Sequence, residues 1–168
     1  GSDLHAWARE VLRAPVNEIY GQTEANLVVT SSHAAGVFRD GAMGRAAPGQ
    51  EVAVLGGRDT PVTGEVGEIC VRAPDPVMFL EYWNRPDATA DKVRNGWLRT
   101  GDLGICDADG YFTFVGRDDD IITSAGYRIG PTEIEACLVA DEDVVNAGVV
   151  GLPDPVRTQA VTAFIVAR

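Results

Sequence analysis

Lysine is nearly absent: of fourteen basic residues thirteen are arginine, and Lys92 stands alone. Any chemistry that needs a lysine must use Lys92 or draw on residues outside this chain. Positive charge as a whole is scarce. A formal net charge of −11 works against a nucleic-acid surface or a polybasic membrane anchor, because either would bring a polyanion to an acidic protein. Local arginines and backbone N–H groups can still hold a small phosphorylated ligand. Cysteine is limited to Cys70, Cys106 and Cys137, odd in number, without C-x-x-C spacing and each among apolar residues. They read as reduced core thiols of a cytoplasmic protein rather than as a disulfide framework or a metal site. No apolar run approaches the length of a membrane span, and no signal peptide is expected. What is present is 45% hydrophobic, enough to bury a real core.

Taken in order, Leu4, Trp7, Ala8, Val11 and Leu12 recur at helical spacing, which predicts a helix over residues 4–13 closed by Pro15. A short strand is expected from Val16 to Tyr20, then the loop Gly21-Gln22-Thr23-Glu24, then Ala25 to Thr30 as a short apolar helix or strand. A strand–loop–helix of this kind places polar residues at the strand's carboxyl end, where open α/β sheets bind ligands. An ordinary turn with Thr23 or Glu24 at a helix start is the other reading. From Gly36 to Phe114 short apolar runs alternate with Gly, Pro, Asn and Asp. The runs Val52–Leu55, Val66–Arg72, Trp97–Thr100, Gly104–Cys106 and Tyr111–Val115 predict a small antiparallel barrel or sandwich. Hairpins are expected at Gly56-Gly57 and at Asp107-Ala108-Asp109-Gly110. Asp87 to Val93 reads as a helical turn or two with Lys92 on its solvated face. Asp102, between glycines in Thr100-Gly101-Asp102-Leu103-Gly104, is either a turn aspartate or an acceptor of two hydrogen bonds from a vicinal diol.

The most charged stretch runs from Gly116-Arg117-Asp118-Asp119-Asp120 to Gly130-Pro131-Thr132-Glu133-Ile134-Glu135. It predicts a polar hinge, a tight hairpin from Ile121 to Ile129 turning at Ser124-Ala125-Gly126, and a helix over 131–140. Pro131 suits the first helical position, Glu133 and Glu135 complement the helix dipole, and Ile134, Cys137 and Leu138 form an apolar face. Val144 to Leu152 and Ala160 to Val166 follow as strands joined by Pro153-Asp154-Pro155-Val156-Arg157.

Three stretches thus occur in a fixed order: Tyr20-Gly21-Gln22-Thr23-Glu24, Arg99-Thr100-Gly101-Asp102-Leu103, and Gly116-Arg117 through Glu135. Together they resemble the adenylate-forming superfamily. Ser124-Ala125-Gly126-Tyr127-Arg128-Ile129-Gly130-Pro131 and Asp154-Pro155-Val156-Arg157 look most like short- and medium-chain acyl-CoA synthetases. The resemblance implies a mixed α/β and α+β chain in three parts. Residues 1–35 would end a large αβ-sheet domain, 36–117 would form a small antiparallel β-barrel subdomain, and 118–168 would be an incomplete, mobile α+β domain.

It also implies a chemistry. A short- or medium-chain carboxylic acid attacks the α-phosphate of ATP with Mg²⁺, and coenzyme A then displaces AMP from the acyl-adenylate. Glu18, Ile19, Tyr20, Gly21, Gln22 and Thr23 would form the adenine shelf. Thr23 would bond a phosphate or substrate oxygen, and Glu24 would help hold Mg²⁺, so both count as catalytic. Asp102 would grip the ribose hydroxyls, and Arg117 would support the ribose and phosphate region. Ala125, Gly126, Tyr127, Arg128 and Arg157 would line the CoA channel, and Asp119 matches the hinge of the small domain. The family's glycine-rich phosphate loop and its late lysine are missing, so the chain is expected to be an inactive piece of such a ligase. An adenylation domain for an amino acid and a non-catalytic nucleotide- or CoA-binding module are the competing readings.

Overall fold

The computed structural model describes residues 2–168. It is mixed α/β, with most elements in antiparallel sheets, and it divides into one unit that runs to Phe114 and a second, Val115–Arg168.

The first unit opens with α1 (Ser2–Val11), which buries Ala8 and His5. The helix is where the spacing puts it, but Leu4, Trp7, Val11 and Leu12 on the expected apolar stripe stay more than half exposed. Next come β1 (Ile19–Gln22) and β2 (Ala25–Thr30), an antiparallel pair that β3 (Arg45–Ala46) extends to a three-stranded sheet. This corrects the strand–loop–helix expectation. Ala25 to Thr30 is a strand because Ala25, Val28 and Val29 bury on the core while Asn26 and Leu27 stay out, a pattern broken by positive φ at Leu27. The motif Tyr20–Glu24 is therefore a β-hairpin and not the mouth of a parallel sheet.

A five-stranded antiparallel sheet follows: β4 (Val52–Leu55), β5 (Val66–Arg72), β6 (Val93–Arg94), β7 (Trp97–Cys106) and β8 (Phe112–Arg117), in the order β4-β5-β7-β6 with β8 also on β7. The runs at 52–55 and 66–72 match the expected strands residue for residue. The two runs at 97–100 and 104–106 are one strand, because the polar residues between them are absorbed in a bulge. The turn at 107–110 is the expected hairpin, closed by Gly110 N–H on the Asp107 carbonyl. The expected hairpin of β4 and β5 begins at Gly56-Gly57, but its loop is long and contains a 3₁₀ turn, Gly57–Asp59. α2 (Pro86–Lys92) has proline in its first turn, as helix starts favour. One apolar cluster joins the two sheets: Ala25, Val28 and Val29 from β2 meet Val54, Ile69, Val71, Leu98 and Phe112, none more than 2% exposed. Burial at this level is worth about 1.5–3 kcal/mol per large side chain, so the hairpin rests on the best-packed part of the chain.

In the second unit β9 (Ile122–Ser124) and β10 (Tyr127–Ile129) form a hairpin, α3 (Pro131–Val139) follows, and β11 (Val144–Asp154) pairs with β12 (Thr158–Ala167) along their whole length. The sheet order is β10-β9-β12-β11. α3 packs Ile134 and Leu138 partly inward and binds β11 through Glu135, whose carboxylate accepts the Val149 N–H at 2.8 Å. The cysteine expectation holds for one residue fully. Cys70 is buried, and burial pushes its thiol pKa up to about 11, whereas Cys106 is half-buried and Cys137 is exposed on α3. Helical spacing put Cys137 on an apolar face, but only Ile134 and Leu138 of that face are partly buried. No helix among the described residues is long and apolar enough to cross a membrane.

Candidate functional site

The site residues of the first unit gather at the β1–β2 hairpin. Tyr20 O–H donates to Asp102 Oδ2 at 2.7 Å, a contact between residues 82 apart in sequence. Burial, with further contributions from Asp102, raises the Tyr20 pKa, so the phenol remains a donor. Asp102 is 8% exposed and lies on strand β7, which corrects the turn reading of it. Gln22 Nε2 donates to the Thr100 carbonyl at 3.2 Å and Lys92 Nζ to the same oxygen at 3.4 Å. Lys92 is thus half-buried against β7 and not on a solvated face, because the end of α2 runs directly into β6 beside that strand.

Thr23 is exposed at the hairpin tip, and Ile19 is 70% exposed. The hairpin from Ile19 to Thr23, with Asn26 and Leu27, lines an open cleft of about 520 Å³. Glu18 points elsewhere: its carboxylate pairs with His5 Nε2 at 3.0 Å and its N–H donates to Ser31 Oγ at 2.7 Å, so it anchors the base of the hairpin. Glu24 is half-buried. Its carboxylate accepts the Tyr82 hydroxyl and its carbonyl accepts the Phe79 N–H. Burial, then Glu24, pushes the Tyr82 pKa up to about 12. No group of three or more His, Cys, Asp or Glu gathers to hold a metal among the described residues. Glu24 is the carboxylate of this hairpin that could serve a hard cation as one oxygen donor.

In the second unit the turn residues Ala125 and Gly126 both have positive φ, +49° and +86°, which makes a two-residue hairpin of the primed type. Ala125 N–H donates to the Arg157 carbonyl at 2.8 Å, so two of the expected CoA residues, far apart in sequence, meet through the backbone. Ala125, Gly126, Tyr127, Arg128 and Arg157 are all exposed. Arg128 Nη2 pairs with Asp118 Oδ1 at 2.7 Å. Arg117 forks onto Asp119 through Nε at 2.9 Å and Nη2 at 3.3 Å, and that fork holds the Asp119 carboxyl below the usual carboxylate range. Spacing did not single out Tyr82 or the inward turn of Lys92. Tyr82 carries one legible sign, an aromatic just ahead of a helix start, and no sign that it reaches Glu24.

Two family models match the chain: "AMP-binding enzyme" over residues 1–83 and "AMP-binding enzyme C-terminal domain" over residues 133–168. The chain belongs to the AMP-binding enzymes. It is 40% identical over 154 residues to acyl-coenzyme A synthetase ACSM4, mitochondrial, of Mus musculus, covering 89% of this chain and 26% of that protein. An uncharacterized acyl–CoA ligase of Bacillus subtilis, YtcI, is 39% identical over 158 residues, 90% of this chain and 28% of the relative. Among solved structures, ATP-bound MatB from Rhodopseudomonas palustris matches with a TM-score of 0.88 and 32% identity, over 99% of this chain and 33% of that one. o-Succinylbenzoate CoA synthetase from Bacillus subtilis, in complex with its acyl-adenylate intermediate, matches equally, with TM-score 0.88 and 32% identity over 99% and 34%. The chain spans about a quarter of the length of the curated relatives it matches.

Proposed function

We propose that the chain serves an acyl-CoA synthetase that activates a short- or medium-chain carboxylic acid with ATP and transfers the acyl group to coenzyme A. The observation that carries this reading is the Tyr20–Asp102 hydrogen bond, which ties the adenine-shelf hairpin to the aspartate meant for the ribose. An aspartate so buried, with one oxygen held by a phenol, has its carboxylate fixed beside the hairpin. Thr23 at the hairpin tip stands ready for a phosphate or acyl oxygen, and Arg117 adds positive charge for the ribose and phosphate region. Mg²⁺, when bound at Glu24, would offset charge on the phosphates. The second unit contributes the CoA contacts: the Ala125-Gly126 turn offers bare backbone to a pantetheine chain, while Tyr127, Arg128 and Arg157 offer a ring face and guanidinium groups. Asp119 is the hinge residue in this reading, and the three parts bounded at residues 35 and 117 are its domains. The unpaired thiols support a reducing compartment, cytoplasmic in our reading.

The test is nucleotide affinity. Asp102→Ala should weaken AMP binding by about 1–3 kcal/mol, the scale of a pair of charge-assisted hydrogen bonds. An unchanged dissociation constant by calorimetry would reduce Asp102 to a structural partner of Tyr20.

A further inference from the structure

The strand that carries Asp102 is not regular. β5 and β7 pair as Glu68↔Leu103 on one side and Cys70↔Arg99 on the other, so Ile69 alone faces Thr100, Gly101 and Asp102. Three residues opposite one make a bulge larger than the usual two-against-one kind, and it takes their backbone groups out of the β5–β7 ladder. Thr100 repairs part of the loss through its hydroxyl, which donates to the Ile69 carbonyl at 2.6 Å and accepts the Asp102 N–H at 3.0 Å. The Gly101 N–H has no strand carbonyl to meet. It donates instead to Glu68 Oε1 at 2.9 Å, at a glycine whose φ is +80°. Glu68 does not swing freely, because its other oxygen, Oε2, is 3.2 Å from Arg99 Nε, and Arg99 Nη2 is in turn 2.7 Å from Asp59 Oδ1. The Glu68 and Arg99 side chains are only 21% and 25% exposed, so this chain of charges is fixed within the sheet surface.

We infer that Glu68 is a positioning residue for nucleotide recognition: its carboxylate stands in for the missing strand acceptor of Gly101 and so sets where the next residue, Asp102, meets the ribose. The inference rests on reading Asp102 as the ribose ligand. It differs from a general stabilising role in one respect. Loss of Glu68 should release the Gly101-Asp102 peptide and degrade the discrimination between a ribose that has its hydroxyls and one that lacks them, more than it degrades nucleotide binding as a whole.

The experiment measures calorimetric dissociation constants of AMP and 2′,3′-dideoxy-AMP on the whole chain, for the wild type, Glu68→Ala, Glu68→Gln and Asp102→Ala. The wild type should prefer AMP by about tenfold or more, the scale of one or two hydrogen bonds to a charged acceptor. Glu68→Ala should bring the ratio close to one. Glu68→Gln, whose amide oxygen can still accept from Gly101, should restore most of it. If Asp102→Ala abolishes the preference while Glu68→Ala leaves it intact, the ribose reading stands and the role given to Glu68 falls. If the wild type shows no preference, or Asp102→Ala does not change it, the ribose reading itself fails and takes this inference with it. Should Glu68→Ala not fold, Glu68→Leu replaces it, filling the volume without an acceptor. Failure of both to fold would mark Glu68 as scaffold and overturn the inference.

Discussion

The hairpin at Gly21 and the hairpin at Gly126 both need glycine, for opposite reasons. Gly21 has an ordinary φ, but a Cβ there would lie 2.4 Å from the Leu27 nitrogen and 2.8 Å from the Ala25 carbonyl oxygen. Gly126 would put a Cβ into open space, yet its φ of +86° is one that side chains disfavour. The first hairpin is shaped by its neighbours, the second by its own turn. What lies beneath them differs in the same sense. Ala25, Val28 and Val29 under the first are at most 1% exposed, whereas in the second only Ile122 and Ser124 are buried and Tyr127 is 73% exposed. A surface that grips a rigid purine nucleoside gains from immobile backing. A surface that lets a flexible chain slide along the backbone needs an exposed turn and little else.

The largest expected effect tests how little supports the second hairpin. Ile122→Ala should cost about 2–5 kcal/mol, the usual penalty for emptying a buried isoleucine site. Val149, at 5% exposure, and Pro131 are the other buried apolar side chains described in that unit, so few contacts remain to absorb the loss. Amide exchange in β11 and β12 should rise towards the unfolded rate. Retained protection there would show that the unit has a sturdier core than its burial suggests. Gly21→Ala comes next, at about 1–3 kcal/mol for forced overpacking against backbone. It should abolish AMP binding as the hairpin opens, because neither Leu27 N nor Ala25 O is a flexible group that can move aside. Full AMP affinity in a folded Gly21→Ala chain would break the comparison.

Much of the fold was legible because strand and turn signals are local. Val52–Leu55 lies between Glu51 and Gly56 and Val66–Arg72 between Gly64-Glu65 and Ala73-Pro74, so they needed no tertiary knowledge, and the same is true of the turn at Ser124-Ala125-Gly126. Ala25 to Thr30 was ambiguous for a physical reason: six mostly apolar residues satisfy a short helix and a strand alike, and the decision fell to where Val28 and Val29 could bury. The motif order located Tyr20, Glu24 and Asp102, but their mutual geometry depends on pairs that no spacing reveals. Tyr20 reaches across 82 positions and Tyr82 reaches Glu24 across 58. Gly101 entered the sequence reading only as a glycine beside Asp102, and it is the centre of a bulge. Cys137 shows the opposite failure, a position on an apolar helical stripe that stays exposed.

Gly126→Leu is a smaller perturbation of the fold and a sharper one of function. The strain of leucine at this φ is about 1–2 kcal/mol, and a Cβ there meets open space. If the proposed CoA role holds, adenylate formation in the proposed synthetase should proceed at near wild-type rate while CoA-dependent thioester formation is lost, since the new side chain would occupy the face proposed for pantetheine. Pyrophosphate exchange and thioester yield, measured on one folded sample, separate this from a stability defect. A parallel fall in both would make the hairpin scaffold.

The smallest effect concerns the other turn residue. Ala125 sits at φ +49°, in the left-handed region, where alanine is strained by about 1–2 kcal/mol. Ala125→Gly removes that strain, but glycine's greater freedom in the unfolded chain offsets about 0.5–1 kcal/mol of the gain. Asparagine tolerates the left-handed region while keeping a side chain, and Asn-Gly is the preferred pair for this turn. The expected order of stability is therefore Asn above Gly above Ala, spread over about 1 kcal/mol and read from urea denaturation of the second unit. The Ala125 N–H donates to Arg157 from the backbone, so neither change removes that bond. CoA affinity then divides two roles. If the ligand meets only backbone here, Ala125→Asn stabilises the turn and leaves affinity unchanged; if the methyl itself faces pantetheine, affinity falls although stability rises, and the hairpin is shaped by its ligand as well as by its turn.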